Sequence, residues 1–288
     1  MDTIGIIGAE NSHATHIART LNVDSAVDGF SVDYIWGETE EFARRAAEEG
    51  QIPTIVDSPE EMRGKIDGLI VDHRHPKYHL EAARPFIRDG VPTFIDKPFC
   101  YRAEKGREFL AEAREVGTPV TSFSVLPWQE SFRAWREEAD QKGDVLAASS
   151  YGPGDVESQY GGIFFYGVHQ VDMLLTAFGP GVEAVRVDRN GNGTLAQLMY
   201  VDEKTVSMNL LKQGSPGFGI HAVCKGGLVA SAVTMDEQQY LSGIRAFTEM
   251  FRTGVEPVPH EHILGTVEVL EALEKSVNSG QTESVGCA

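Results

Sequence analysis

Apolar runs and amphipathic stretches alternate along the first 120 residues. The segments 3–7, 68–71 and 93–95 are short and almost wholly apolar, the pattern of strands buried on both faces of a parallel sheet. Segment 30–36 alternates as a further strand, and 54–56 and 119–123 are brief strands beside it. Between them, spacing near 3.6 residues predicts helices over about 13–22, 40–49, 79–89 and 103–116. Boundary residues agree. Asn11 or Ser12 is able to cap the first helix, Thr39 caps the second, and Gly50 and Gly90 close helices. Ser58-Pro59-Glu60-Glu61 reads as a cap, a first-position proline and an acidic first turn. Strands alternating with helices in this way indicate an α/β, doubly wound parallel sheet.

The pattern then changes. Residues 128–141 form an amphipathic helix with Trp128, Phe132 and Trp135 on one face. From Val145 the chain reads as strands at 147–151, 184–188, 196–201, 205–212, 219–224 and 227–232, with one helix over 167–178. Strands without intervening helices imply an open, mainly antiparallel sheet. Helices over 238–253 and 260–279 finish the chain. The expected division is a first domain over 1–121 and an α+β domain over 122–288, its last helix able to pack back on the first. The open sheet face is read as rich in Leu198, Met199, Met208, Leu210 and Val223. That predicts a homodimer or homotetramer formed through this sheet.

Composition narrows the partners. Of 288 residues, 43 are acidic and 25 basic, a formal net charge of −18. Such a field repels phosphate backbones and anionic lipid, so neither nucleic acid nor a membrane surface is an expected partner. No apolar run approaches the roughly 20 residues of a membrane span. The start, Met-Asp-Thr-Ile-Gly, has no basic n-region, so no signal peptide is expected. Cys100, Cys224 and Cys287 form no Cys-x-x-Cys pair, which favours a reducing, cytoplasmic setting.

Three stretches carry candidate chemistry. The first is 91–99, where a short strand ends in Asp96-Lys97-Pro98 and sets one cation at a strand's carboxyl end, the ligand-binding edge of open α/β sheets. The second is Gly8-Ala9-Glu10-Asn11-Ser12-His13, between the first strand and helix, where a dinucleotide pyrophosphate docks. Of the three glycines in G-x-G-x-x-G only Gly8 is present; Glu10 and His13 replace the others. Glu38 stands where an acidic residue would hold ribose hydroxyls, the alternative being a solvated loop glutamate. The third is Asp72-His73-Arg74-His75-Pro76, followed by His79. A metal site there lacks the i, i+4 helical face of a zinc pair, so none is assigned and these residues are read as lining the mouth of the crevice.

The first domain, Asp96-Lys97-Pro98, the Gly167-Val168-His169-x-Val171-Asp172 helix and the open sheet together resemble the Gfo/Idh/MocA oxidoreductases. The resemblance covers essentially the whole chain and implies a Rossmann-like first domain binding NAD or NADP. It further implies that Lys97 contacts nicotinamide and the substrate hydroxyl, and that His169 accepts the alcohol proton. Gly8, Ala9, Asn11, Ser12, His13, Glu38, Asp72, Lys97 and Pro98 are the expected cofactor residues, with a carboxylate at 38 favouring NAD. His73, His75, Tyr160, Tyr166 and Asp172 are expected to line a sugar- or polyol-like substrate, and Asp172 can also orient His169. Two positions depart from the family pattern: Glu10 in the phosphate loop, and Phe165 where the family commonly has aspartate. The expected function is therefore an NAD(P)-dependent oxidoreductase acting on a carbinol or carbonyl of such a compound. The alternatives are a non-catalytic sensing or scaffold relative without dinucleotide binding, and a metal-dependent hydrolase or lyase built on the histidines.

Overall fold

The computed structural model describes residues 1–191, 193–214 and 217–286; Cys287 lies outside them. These residues form two compact units, one of 1–123 with 240–263, the other of 124–239 with Leu264 onward.

The first unit contains, in order, β1 (Asp2–Ile7), α1 (Ser12–Ala18), β2 (Phe30–Trp36), α2 (Glu40–Gly50), β3 (Thr54–Ile55), β4 (Gly68–Val71), α3 (His79–Arg88), β5 (Thr93–Ile95), α4 (Ala103–Val116) and β6 (Val120–Thr121). All six strands are parallel, in the order β3-β2-β1-β4-β5-β6. β4 and β5 are buried along their whole length, as their almost wholly apolar sequences require. The helix expected over 13–22 is shorter: α1 ends at Ala18, and Arg19–Val23 widens into π-type turns. Asn22 accounts for this, because its side chain donates to the Val32 carbonyl and accepts from the Val32 N–H, both at 2.8 Å. That pair competes with a regular helix end and ties it to β2. The segment 59–62 is a single 3-10 turn, with the Glu61 carboxylate accepting the Ser58 N–H at 3.1 Å.

The second unit follows with α5 (Glu130–Gln141), β7 (Val145–Pro153), α6 (Phe164–Phe178), β8 (Val182–Asn190), β9 (Gly193–Tyr200), β10 (Thr205–Leu211), β11 (Phe218–Cys224) and β12 (Gly227–Val233). α7 (Leu241–Thr253) belongs to the first unit, α8 (His260–Ser279) runs from the first unit into the second, and β13 (Glu283–Ser284) closes the sheet edge. In the first unit the ring of Phe247 on α7 stacks on Phe94, centroids 4.6 Å apart. Phe251 crosses β4 at Gly68, where a Cβ would lie 2.5 Å from its ring; only glycine permits that approach.

The second sheet has the order β12-β11-β7-β10-β9-β8-β13. β7 and β10 are parallel and the other pairs antiparallel, so it is mixed but mainly antiparallel, as expected. Its covered face holds Ile220, Ala222, Val206, Met208, Leu210, Ala196 and Leu198. α6 is fixed on this face by Gln170, which accepts from the Ser150 hydroxyl at 2.7 Å and donates to the Asn209 carbonyl at 3.3 Å. This corrects the reading of the open face. Leu198, Met208 and Leu210 are buried on the covered side, and only Met199 and Val223 of the five named residues are exposed. Strand side chains alternate, so grouping apolar residues without fixing the register mixes the two faces. The other face also carries exposed Leu195 and Leu228, with His221 Nε2 against the Ser149 hydroxyl at 3.0 Å. Among the described residues no helix is long and apolar enough to cross a membrane.

Candidate active site

In the first unit, register brings distant residues to one level. Ile7 is level with Val71, and Val71 with Ile95. The next residues, Gly8, Asp72 and Asp96, therefore leave three adjacent strands side by side. Backbone bonds hold them there: Asp72 N–H to the Ile7 carbonyl and Asp96 N–H to the Val71 carbonyl, both 2.8 Å. Gly8 has φ +105° and a Cβ there would meet the His73 nitrogen at 2.6 Å. The one glycine retained from the fingerprint is thus the one that the close approach of the backbone after β4 demands.

These strand ends build a buried polar cluster. The Asn11 amide donates to Asp72 Oδ1 at 2.9 Å and Asp96 Oδ2 at 3.0 Å. His13 Nδ1 is 3.0 Å from Asp96 Oδ1, and Lys97 Nζ is 3.2 Å from Asp96 Oδ2. Asp72 Oδ2 accepts the Ala14 N–H at 2.6 Å. Asn11 stands at the helix N-cap, but its side chain makes no capping bond; it bridges the two carboxyls instead, and Asp72 caps α1 from another strand. Burial, then the Asp96 charge, hold the Asp72 carboxyl well above its usual range. For Asp96 burial also opposes ionisation, but Lys97 and then His13 outweigh it and bring the carboxyl far below that range. One carboxyl thus keeps its proton while its neighbour is the anion facing Lys97. His13, Asp72 and Asp96 also have ligand atoms mutually within 4.8 Å.

The loop beside this cluster is anchored by Glu38. Its Oε2 accepts the N–H groups of Ala9 and Glu10, each at 2.9 Å, while Oε1 is buried with no partner. A buried carboxylate oxygen lacking a donor is a position for a ligand hydroxyl. It fits the ribose diol of a dinucleotide. Ser12 opens α1 on the exposed side of the loop, and the His13 ring lies 5.2 Å from Tyr240.

The histidines after β4 form no metal cluster among the described residues. The His79 ring lies between the Pro98 carbonyl (Nδ1, 2.9 Å) and the His73 carbonyl (Nε2, 2.7 Å), and so staples the β4 loop to the cis Lys97–Pro98 segment. His75 Nδ1 accepts the Lys77 N–H at 3.2 Å. His73 packs against Trp36 and Tyr78 at 5.9 and 5.7 Å. Burial first, then His79, push His73 down to about 3. Burial and the Lys77 charge push His75 down to about 4. Burial also lowers His79.

In the second unit, α6 carries His169 and Asp172, one turn apart and 7% and 3% exposed. Asp172 is joined to the imidazole through Ser124. Its Oδ2 accepts the Ser124 N–H at 2.8 Å, and the Ser124 hydroxyl lies 2.8 Å from His169 Nδ1. Phe218 meets the His169 ring edge-on at 5.6 Å, and Tyr166 lies at 5.8 Å. Phe165 is wedged between Tyr160 and Tyr166, at 4.9 and 4.8 Å, so aromatic rings occupy the start of this helix. Ser124 escaped the sequence reading, since one serine after a strand carries no periodic or motif signal.

The strand order of the first unit is that of the doubly wound dinucleotide-binding folds. Residues 3–123 match the Gfo/Idh/MocA family model, described as "Oxidoreductase family, NAD-binding Rossmann fold". Over these residues the chain is similar to that family. It is similar to the uncharacterized oxidoreductase YhhX of Escherichia coli K12, 24% identical over 236 residues that span 73% of this chain and 68% of that protein. Among solved structures it resembles scyllo-inositol dehydrogenase from Lactobacillus casei with NAD(H) and scyllo-inositol, at TM-score 0.87, 14% identity and 100% coverage of both chains. It also resembles myo-inositol dehydrogenase from the same organism with NAD(H) and myo-inositol, at TM-score 0.84, 15% identity, and 100% and 98% coverage. At such identities these structures establish the shared fold.

Proposed function

We propose that this chain is an NAD(P)-dependent dehydrogenase, with NAD preferred, acting on a carbinol or carbonyl carbon of a sugar, polyol or related compound. The observation that carries the reading is Lys97. This lysine is only 9% exposed, sits at the carboxyl end of β5, and is held 3.2 Å from a carboxylate kept ionised. Such a fixed ammonium stabilises negative charge developing on a substrate oxygen. His169 is the acid/base: in the oxidation direction its imidazole takes the hydroxyl proton as hydride leaves the carbon. Assigning both to one reaction rests on the family resemblance. When bound, the nicotinamide supplies the hydride acceptor or donor.

Glu38 and the loop residues Gly8, Ala9, Asn11, Ser12 and His13 would hold the dinucleotide, together with Asp72, Lys97 and Pro98. The carboxylate of Glu38 favours a free ribose diol over a 2′-phosphate. His73, His75, Tyr160, Tyr166 and Asp172 remain the proposed substrate-side residues; Asp172, buried under Ser124, serves there through its neighbours. We place the protein in the cytoplasm, in keeping with the free thiols Cys100 and Cys224, and assign it a second copy of itself as partner through the open sheet face. A monomeric mass by light scattering at micromolar concentration overturns that assembly.

Phe165 favours a second reading, a small-molecule-binding relative that no longer turns over, because an aromatic ring cannot replace the family's carboxylate. Calorimetric titration of NAD+, NADH, NADP+ and NADPH into the purified protein separates the two. Micromolar NAD binding followed by turnover in a polyol and sugar screen is expected. Binding of no dinucleotide, with Glu10→Gly restoring it, would favour the second reading.

A further inference from the structure

His169 is 7% exposed, yet an acid/base has to meet its substrate, so something beside the imidazole has to give way. Three side chains of the second unit stand against the ring. The Ser124 hydroxyl lies 2.8 Å from Nδ1, and the Ser124 N–H is fixed on buried Asp172 at 2.8 Å. Phe218 is clamped over β7 at Gly152, where a Cβ would lie 2.4 Å from its ring. Both are held from inside the fold. Tyr166 is held differently: it leans on Phe165, and Phe165 on Tyr160, at 4.8 and 4.9 Å. Tyr160 belongs to the segment 154–163 between β7 and α6, and that segment is tied at the surface.

The tie is an ion-pair cluster. The Glu157 carboxylate accepts from Arg189 of β8 at 2.6 Å and from Lys212, just beyond β10, at 2.9 Å. Lys212 also meets Asp155 at 3.2 Å. All four side chains are well exposed, and such pairs are each worth little and weaken with salt. At the other end of the segment stand Gly161 and Gly162, with φ +100° and +58°, left-handed backbone that glycine adopts freely. A Cβ on Gly162 would meet the Val156 carbonyl oxygen at 2.8 Å. Weak surface ties at one end and a glycine pair at the other make a hinged strap. We propose that 154–163 is a strap hinged at Gly161–Gly162 and latched by Glu157, and that its release withdraws Tyr160 from Phe165 and opens the way to His169. This rests on the reading of His169 as the acid/base. Hydrogen bonds from Lys212 and then Arg189 draw the Glu157 carboxyl down to about 2, so the latch stays charged at working pH and ionic strength sets its hold.

Two readouts on the full-length protein test this, and neither needs turnover or a dinucleotide. In hydrogen–deuterium exchange followed by mass spectrometry, peptides over 154–163 are expected to exchange about threefold to tenfold faster in Glu157→Gln, the loss of two exposed pairs. Raising KCl to about 1 M should move the unmodified protein towards the variant and leave the variant unchanged. Glu157→Asp, which keeps the charge, should fall between. Diethyl pyrocarbonate should modify His169 faster in Glu157→Gln by a similar factor, with His221, exposed on the open sheet face, as the unchanged control. Exchange in 154–163 that is indifferent to Glu157 and to salt overturns the latch, as does equal loosening of the middle of α6. Faster exchange with unaltered His169 modification overturns the gating. A protein that binds no dinucleotide but couples access at His169 to Glu157 keeps the strap while the dehydrogenase reading fails.

Discussion

The two buried polar clusters are built on different physics. The one in the first unit is dense in charge: Asp96 is gripped by Lys97, His13 and Asn11, and beside it burial raises the Asp72 carboxyl well above its usual range. The one in the second unit is a hydrogen-bonded chain, Asp172 to Ser124 to His169, walled by Phe218 and Tyr166. A charge cluster fixes the position of an ammonium and resists loss of any member, because each ion left behind is buried and unpaired. A hydrogen-bonded chain to an imidazole fixes the orientation of the ring. The first arrangement suits a constant electrostatic partner, the second a group that must cycle.

The contrast is broken most severely at Asp96. Asp96→Asn leaves Lys97 buried without its counterion, and unfolding in urea should show a loss of about 3–5 kcal/mol. Asp72→Asn replaces a carboxyl that already keeps its proton, and the same measurement should show less than about 1 kcal/mol. Equal losses at the two positions would mean that the proton is not lodged on Asp72. Lys97→Met should next lower kcat roughly 10²–10³-fold, the usual cost of removing one charge-stabilising donor, while calorimetric dinucleotide affinity changes much less. Unchanged turnover would remove Lys97 from the chemistry.

A further effect is a pH dependence. His73 has its pKa lowered by burial from 6.5 to about 3, so between those values the unfolded chain binds a proton that the folded chain does not. Its stabilising contribution is complete above pH 6.5 and is lost as the pH falls towards 3. From pH 7 to 5 this amounts to about 2 kcal/mol, with His75 and His79 acting in the same direction. Asp72 has the opposite sign: its raised pKa gives stability present below the ordinary carboxylate pKa and lost as pH rises through the folded value. Urea midpoints that stay flat between pH 7 and 5 would show that His73 is not held neutral in the fold.

How much of this was legible in the chain differs between regions. The parallel sheet, the strand ending in Lys97 and the helix carrying His169 could all be read from periodicity, proline placement and a short motif, because each is a local property of some ten residues. The grouping of Asn11, His13, Asp72 and Asp96 could not, since it follows from three strands falling into one register. Nor could the link through Ser124, which lies 45 residues from His169, or the true faces of the second sheet, where Leu198 and Met208 turned inward.

The sequence by itself determined the element types and the two sheet classes, because backbone propensity and hydrophobic spacing act over short distances. Tertiary structure alone decided that residues 240–263 join the first unit, through Phe247 on Phe94 and Phe251 over Gly68. It also decided which carboxyl holds a proton and what His169 leans on. Burial and charge proximity set these outcomes, and both depend on which side chains the fold brings within a few ångströms, not on their order along the chain.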